Sequence, residues 1–320
     1  MDAGQIRQVR HFNRAVTRRI GVLTDDYLGR GRSLGEARVL FEIGRDGANV
    51  RDLRVRLLLD SGYLSRLLRA LEKQGLATLR RADDDGRMRR ATLTRKGLRE
   101  LDALDRRSQD FAASLLAPLG GPQRERMIAA MGEVERLMRA SMVTIDPVDP
   151  GSADARACIE AYFRELDARF ETGFDSTRST SADPGELVPP AGLFLIARLD
   201  GQPVGCGAMK VKGRRLGEIK RMWVAPSTRG LGIAQRLLAA LEKYAVEIGL
   251  DKLQLDTNRT LREARALYAR NGYVEVPPYN TNPYADHWFE KRGLRQRKSG
   301  RVEKKPRRIR SPANQSPTGC

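Results

Sequence analysis

The chain has 320 residues and a formal net charge of +19, with 59 lysines and arginines against 40 aspartates and glutamates. That length accommodates two domains with cores of their own. No apolar run approaches a membrane span and the start does not read as a signal peptide, so a cytoplasmic protein with no membrane partner is expected. The two histidines (His11, His287) and three scattered cysteines (Cys158, Cys206, Cys320) argue against a metal site and against a disulfide framework. The charge is uneven, being +10 over residues 1–145, −1 over 146–290 and +10 over 291–320. A neutral middle between basic flanks points to a polyanionic partner, either nucleic acid or an anionic surface.

Residues 1–145 read as nearly all helix. A long helix is expected from about Ile6 to Leu28. Ser33 with Glu36 makes a capping box for a second helix, ending near Ile43. A short helix follows at about Val50 to Leu57. Asp60-Ser61 then caps a helix that Gly75 closes. In this fourth helix Leu64, Leu67, Leu68 and Leu71 recur at helical spacing and define a buried face. Tyr63, Ser65, Arg66, Arg69 and Lys73 take the other side. Two short helices with a basic outer face suit a helix-turn-helix, although any surface helix has a solvated face. Ala77 to Arg81 and Met88 to Leu93 read as strands joined by Asp83-Asp-Asp-Gly-Arg87. Such a hairpin is a wing, with Arg87 at its tip and Arg89 and Arg90 behind, suited to a narrow minor groove. Thr94 caps a long helix to about Leu116.

The run Leu59 to Leu76, then Asp85-Gly-Arg87 and Leu93-Thr94-Arg-Lys-Gly97, resembles the MarR winged helix-turn-helix family over about residues 5–142. The resemblance implies a homodimer built on the first helix and the last two, ending with Pro122 to Met142. It implies a palindromic double-stranded DNA operator. It also implies that Ser65, Arg66 and Arg69 meet DNA in the major groove and Arg87 in the minor groove, with Arg80 and Arg81 on phosphates. Arg66 has an alternative, a pair with Asp85 that holds the wing.

Asp146 to Ser152 carries three breakers in seven residues and is expected to be a linker. The next elements read as β-rich: strands Leu193–Arg198 and Val204–Val211 about an Asp200-Gly201 hairpin, a turn at Lys212 to Arg214, and a strand Glu218–Val224. Val224 to Ala234 then runs from strand into a two-glycine turn and a helix. The unpaired N–H groups at that helix start suit a phosphate or pyrophosphate. A P-loop would need Gly-Lys-Ser/Thr after the turn, and Gly232 is followed by Ile233, Ala234 and Gln235. A dinucleotide fingerprint would need Gly or Ala where Gln235 stands. Arg229, Gly232 and Ala234, preceded by Val224 to Pro226, are similar to the acetyl-CoA loop of the GNAT acyltransferases; an ordinary strand–turn–helix is the bland alternative. Lys252–Thr257 reads as a further strand and Leu261–Arg270 as a helix capped by Asn271-Gly272. Tyr273–Val276 and His287–Glu290 make the last strands. The resemblance spans about residues 147–292.

It implies acetyl-CoA as co-substrate, with no metal, held by Trp223, Val224, Arg229, Gly230, Leu231, Gly232, Ile233 and Ala234. The N–H of Val224 is implied as oxyanion donor. Leu261 stands where the family often has an asparagine, so Asn258 is the stand-in for one cofactor contact. Glu218 lies six residues before Val224, so strict alternation puts both side chains on one face. Glu218 is the implied general base, with a salt bridge to Lys220 or Arg221 as its alternative. Tyr268 is the implied proton donor to the CoA thiolate, with a core tyrosine as its alternative. Tyr279, Asn280, Asn282 and Tyr284, with Arg198 or Arg221, are expected to border the site of a small-molecule amine.

The expectation is two domains: a mostly α winged helix-turn-helix, residues 1–145, then an α/β mixed-sheet GNAT fold, residues 146–292. Residues 293–320 form a basic tail, expected to be disordered. It either binds DNA non-specifically or only solubilises. The function expected is a regulator that also acetylates a small amine; the alternative is a transcription factor that only senses acetyl-CoA or a metabolite.

Overall fold

The computed structural model describes residues 2–21, 26–81, 89–180 and 182–294. They divide into two compact units, Met1–Thr144 with Arg198–Pro203, and Ile145–Ala197 with the chain from Val204.

The first unit opens with α1 (Ala3–Arg19), which stops short of the expected end near Leu28. Gly21 turns left-handed just after it, and Leu28 interrupts a single 3-10 turn, Tyr27–Gly29, at φ +56. Next comes α2 (Leu34–Ile43), where Ser33 Oγ accepts from the Glu36 N–H and Glu36 accepts from the Ser33 N–H at 3.0 Å. The two-residue strand β1 (Ala48–Asn49), α3 (Val50–Leu57) and α4 (Ser61–Lys73) follow. Asp60 caps α4 by accepting from the Tyr63 N–H at 2.8 Å. Strands β2 (Ala77–Arg81) and β3 (Arg89–Leu93) are antiparallel, and β1 adds to β3. Then come α5 (Arg95–Leu116), capped by Thr94, and α6 (Gly121–Met142).

The leucine face of α4 packs with Leu40 and Ile43 of α2, Leu53 of α3 and Leu101 of α5 into one core. At the start of α5 a Cβ on Gly97 would stand 2.0 Å from the Leu76 carbonyl oxygen, so any side chain there would push the helix off the turn after α4. Glu100, buried on α5, is paired with Arg30 at 2.5 Å and with Arg32 at 3.3 Å. By contrast α1 and α6 bury none of their residues, and Ile6, Val9, Val16, Ile128, Met131 and Leu137 are exposed.

The second unit is a seven-stranded mixed sheet. Its first strand, β4 (Thr144–Pro147), takes up Asp146 and Pro147, which the breaker count assigned to a linker. Proline is tolerated because β4 is an edge strand. Ser152 then caps α7 (Ala153–Arg169), a helix not anticipated from the sequence. The remaining elements are β5 (Gly192–Leu199), β6 (Gln202–Gly213), β7 (Leu216–Val224), α8 (Ile233–Glu247), β8 (Lys252–Thr257), α9 (Arg262–Arg270), β9 (Val274–Val276) and β10 (His287–Arg292). The strand order is β4-β5-β6-β7-β8-β10-β9. Leu294 is buried and its N–H donates to Asp251, so two residues expected in the basic tail belong to the fold. Residues 295–320 lie outside the described residues.

Helix α7 packs Ala155 and Cys158 on Phe194, Ile196, Cys206 and Ala208. Leu237 and Leu241 of α8, with Met222, lie over Gly207, on the opposite face. Two departures from regularity open the sheet. Strands β7 and β8 run parallel but pair only over Leu216–Glu218 with Lys252–Gln254, and part beyond that. Strand β7 also holds one extra residue against β6: Lys220 pairs with Ala208, Trp223 with Cys206. Arg221, inside that bulge, is left-handed at φ +54.

Candidate functional site

The turn between β7 and α8 builds the first cavity. Gly230 and Gly232 are left-handed, at φ +82 and +73, and a Cβ on either would meet nothing within 4 Å. Gly232 is the N-cap of α8, so the N–H groups of Ile233, Ala234 and Gln235 lie in a helical first turn without intrahelical partners. Beside them is a cavity of about 500 Å³ lined by Trp223, Val224, Arg229, Gly230, Gly232, Ile233 and Ala234. Glu165 and Arg169 of α7 and Leu267 and Tyr268 of α9 line it too. Leu231 is not among the lining residues; it is buried.

Ion pairs cross this cavity's rim. Glu165 accepts from Arg229 at 2.6 Å on both oxygens, from Trp223 Nε1 at 2.9 Å and from Arg169 at 3.2 Å. Arg169 continues to Glu263 at 2.9 Å. Burial pushes the Glu165 carboxyl up, but the donors from Arg229, Trp223 and Arg169 outweigh it and hold the group below the usual carboxylate range. Open glycines, a helix start and an arginine fit the diphosphate of an acyl-CoA.

A second cavity, of about 100 Å³, shares Tyr162, Leu166, Met222, Leu261, Ala264 and Tyr268 with the first. It occupies the fork where β7 and β8 part, between Lys220 and Arg221 on one strand and Asp256 on the other. Tyr268 is buried; that burial, reinforced by the Asp256 charge, holds its hydroxyl protonated far above an ordinary phenol. Asp256 accepts from Lys220 Nζ at 2.9 Å and from the Asn282 amide. Neither Asp256 nor Lys220 was singled out by the motifs. The available signal was an acid inside a strand-forming run, Leu253-Gln-Leu-Asp-Thr257.

Glu218 is elsewhere. It is 1% exposed, paired with Lys220 at 3.1 Å and Lys212 at 3.3 Å, and accepts from the Tyr279 hydroxyl at 3.3 Å. It lines neither cavity. The shared face expected for Glu218 and Val224 is absent. On β6, Lys210, Ala208 and Cys206 alternate regularly, and their partners are Glu218, Lys220 and Trp223. Glu218 therefore shares the face of Trp223, and Val224 turns the other way, toward Ile233 of α8. The extra residue in β7 is the cause. Of the alternatives for Glu218, the Lys220 pair is present; Arg221 instead donates to the Ala182 carbonyl at 2.7 Å and lies 6.0 Å over the Phe163 ring.

Among the residues expected to border the acceptor, Asn282, Tyr284 and Arg221 line the second cavity. Tyr279, Asn280 and Arg198 do not; Asn280 accepts from Trp288 Nε1 at 2.8 Å. Asn258 lines the second cavity and not the first, so it stands apart from the glycine turn. Its amide donates to the Tyr284 carbonyl at 2.8 Å and its oxygen accepts from Thr260, which holds that loop.

In the first unit the outer face of α4 carries Arg66 and Arg69, both exposed, and Ser65, half-buried. The Arg66 guanidinium lies 5.6 Å over the Tyr63 ring. Arg87 and Asp85 fall outside the described residues. Arg90 donates to the Asp46 carbonyl at 2.6 Å, which ties β3 to the turn before β1. Among the described residues no cluster of His, Cys, Asp or Glu suits a metal, and no helix is long and apolar enough to cross a membrane.

Comparison with known proteins agrees with both halves. The acetyltransferase (GNAT) family model matches residues 158–273 and the MarR family model matches residues 30–88. An IAA acetyltransferase of Azospirillum brasilense is 36% identical over 121 residues, 38% of this chain and 78% of its own. An uncharacterized N-acetyltransferase of Schizosaccharomyces pombe is 30% identical over 153 residues, 46% of this chain and 92% of its own. A GNAT family acetyltransferase structure from Elizabethkingia anophelis, with acetyl-CoA bound, is 17% identical over 47% of this chain and 98% of its own, with a TM-score of 0.34. The chain belongs to the GNAT acetyltransferase family and is an acetyl-CoA-dependent acyltransferase. It carries a MarR-family segment ahead of that domain, in a MarR–GNAT fusion.

Proposed function

We propose that the protein is a cytoplasmic, homodimeric MarR-type regulator that also transfers acetyl from acetyl-CoA to a small-molecule amine. The regulator would span residues 1–145, the transferase 146–294 and a basic tail 295–320. The observation carrying the transferase role is the meeting of two cavities at Tyr268, one rimmed by the glycine turn and one by charged side chains.

Acetyl-CoA supplies an acetyl thioester when bound. Gly230, Gly232 and the first turn of α8 hold its diphosphate, and Arg229 supplies countercharge. Trp223, Val224, Ile233 and Ala234 line the cleft, and the Val224 N–H stabilises charge on the carbonyl oxygen. The acceptor's ammonium sheds one proton to solvent. Its nitrogen then forms the C–N bond while the C–S bond breaks. Tyr268 gives its proton to the departing sulfur and is reprotonated by the proton that the new amide loses. One proton is released overall. Glu218, held by two lysines, acts at one remove: it positions Lys220, and through it Asp256. Acetyl-CoA turnover over an amine panel tests this; full activity in Tyr268→Phe would overturn the assignment.

For the regulator, the exposed apolar stripes of α1 and α6 support dimerisation, because each helix leaves Ile, Val, Leu or Met uncovered. The basic face of α4 would enter the major groove of a palindromic operator, with Arg87 in the minor groove. Arg69→Ala should weaken operator binding and lower the salt slope by about one. Unchanged affinity and slope would remove Arg69 from the interface.

The burial of Glu218 among lysines favours a second reading, in which the second unit binds acetyl-CoA only as a signal. CoA binding with no turnover on any amine, together with ligand-dependent loss of operator affinity, would select it.

A further inference from the structure

We infer that the acceptor is a small primary amine carrying an aromatic ring, whose ammonium is received by Asp256 and whose ring lies against Phe163, Phe170, Phe174 and Tyr284. The inference rests on the acetyl-transfer reading above and deepens it.

The four rings form one wall. Phe163 and Phe174 have centroids 5.2 Å apart, Phe170 and Phe174 5.9 Å, Phe170 and Tyr284 5.7 Å, and Phe174 and Tyr284 5.0 Å. They converge from the end of α7, the segment after it and the loop before β10. All four line the second cavity, and all are half-buried where core rings would be fully covered. A wall of partly covered rings inside a cleft gains most from an apolar, flat occupant. The cavity of about 100 Å³ limits the occupant to about one ring, with any chain reaching into the larger cavity past the residues the two share.

Charge selects the other end. Asp256 is the acidic residue among those lining the cavity, and its side chain is 3% exposed. An ionised carboxylate has about four acceptor sites. Lys220 takes one and Asn282 another, so an ammonium can share the remainder. Lys220 and Arg221 line the same cavity, so a second positive charge on the acceptor would be repelled. This sets a polyamine at a disadvantage. Asp256 also lies beside Tyr268, where the departing thiolate must be protonated.

The test uses the full chain with phenylethylamine, spermidine and a lysine-containing hexapeptide as probes. Calorimetry measures amine binding to the CoA-saturated protein, and a thiol assay measures turnover with acetyl-CoA. Binding and acetylation of phenylethylamine at least about tenfold better than the other two is expected. Saturable binding of phenylethylamine without turnover would keep this inference and overturn acetyl transfer. Preferred acetylation of spermidine or the peptide would keep acetyl transfer and overturn this inference. No binding and no turnover with any probe overturns both. Phe174→Ala should raise the KM for phenylethylamine about tenfold or more and leave that for acetyl-CoA within twofold. Phe174→Leu, which keeps bulk, should fall between. Asp256→Asn should lower kcat/KM for the amine at least about thirtyfold and shift the pH profile, with CoA binding retained as the sign of an intact fold. Retained amine kinetics in both Phe174→Ala and Asp256→Asn would overturn the assignment of the ring wall and the carboxylate.

Discussion

The two cavities that meet at Tyr268 are built by different means. The larger has a backbone cradle on one side, made of two left-handed glycines, a helix start and the end of one strand within residues 223–235, with side chains of α7 and α9 completing it. The smaller is made of side chains from six separated stretches, in α7, the segment after it, β7, β8, α9 with its start, and the loop before β10. A backbone cradle recognises what every acyl-CoA has in common. A wall of side chains recognises one acceptor and can change residue by residue. The cradle is therefore contiguous in sequence, and the side-chain wall is scattered.

Substitutions at the junction should have the largest effect. Tyr268→Phe keeps the packing and removes the proposed proton donor, so kcat should fall about 10²- to 10³-fold with the acetyl-CoA KM within twofold. A rise in KM without loss of kcat would make Tyr268 part of one cavity only. Next comes Gly232→Val. A β-branched residue held left-handed costs roughly 1–2 kcal/mol, so acetyl-CoA should bind about tenfold weaker by calorimetry. The KM for the amine should stay nearly constant, because no side chain of the smaller cavity is touched.

A smaller effect is expected at the rim. Glu165→Gln removes the charge that collects Arg229, Trp223 and Arg169, and should cost about 1 kcal/mol of stability, since the group is partly exposed. The Glu165 carboxyl is held below its usual value in the fold. Its contribution is therefore complete above the unfolded carboxylate value near 4.3 and is lost as pH falls through the lower folded value. The Tm advantage of wild type over Glu165→Gln at pH 7 should shrink on acidification below about pH 4; an advantage that grows there would reverse the assignment. The smallest effect is expected for Glu218→Gln. A positioning residue behind Lys220 should change kcat by about threefold or less, whereas a direct base would cost at least about a hundredfold.

Local signals carried much of the fold. Ser33 with Glu36, Asp60 and Thr94 cap the helices they were expected to cap, and the leucine period of α4 is its buried face. Lys252–Thr257 is a strand with the expected ends. Helix α7 escaped notice because Tyr162, Glu165 and Arg169 face the cavities, which breaks the apolar stripe that would have marked it. The ring wall is hidden differently: Phe163, Phe170 and Phe174 keep a helical i, i+7, i+11 spacing, but α7 ends at Arg169 and their partner Tyr284 is over a hundred residues away. Asp256 was visible as a strand residue, but its neighbours Lys220 and Asn282 come from other elements. The face of Glu218 was misread because alternation assumes a regular strand, and β7 has one residue too many.

That extra residue has a consequence for how this enzyme tolerates insertions and deletions. Removing a single residue between Lys220 and Trp223 would restore regular alternation in β7. Trp223 and Val224 would then keep their partners on β6 and their faces, Trp223 toward Glu165 and Val224 toward Ile233, and only the bulge that carries Arg221 would be lost. A library of one-residue deletions along β7 should therefore show its mildest loss of acetyl-CoA binding at Arg221 and Met222, where the deletion removes the bulge and keeps both faces, and a deeper loss where the strand is regular.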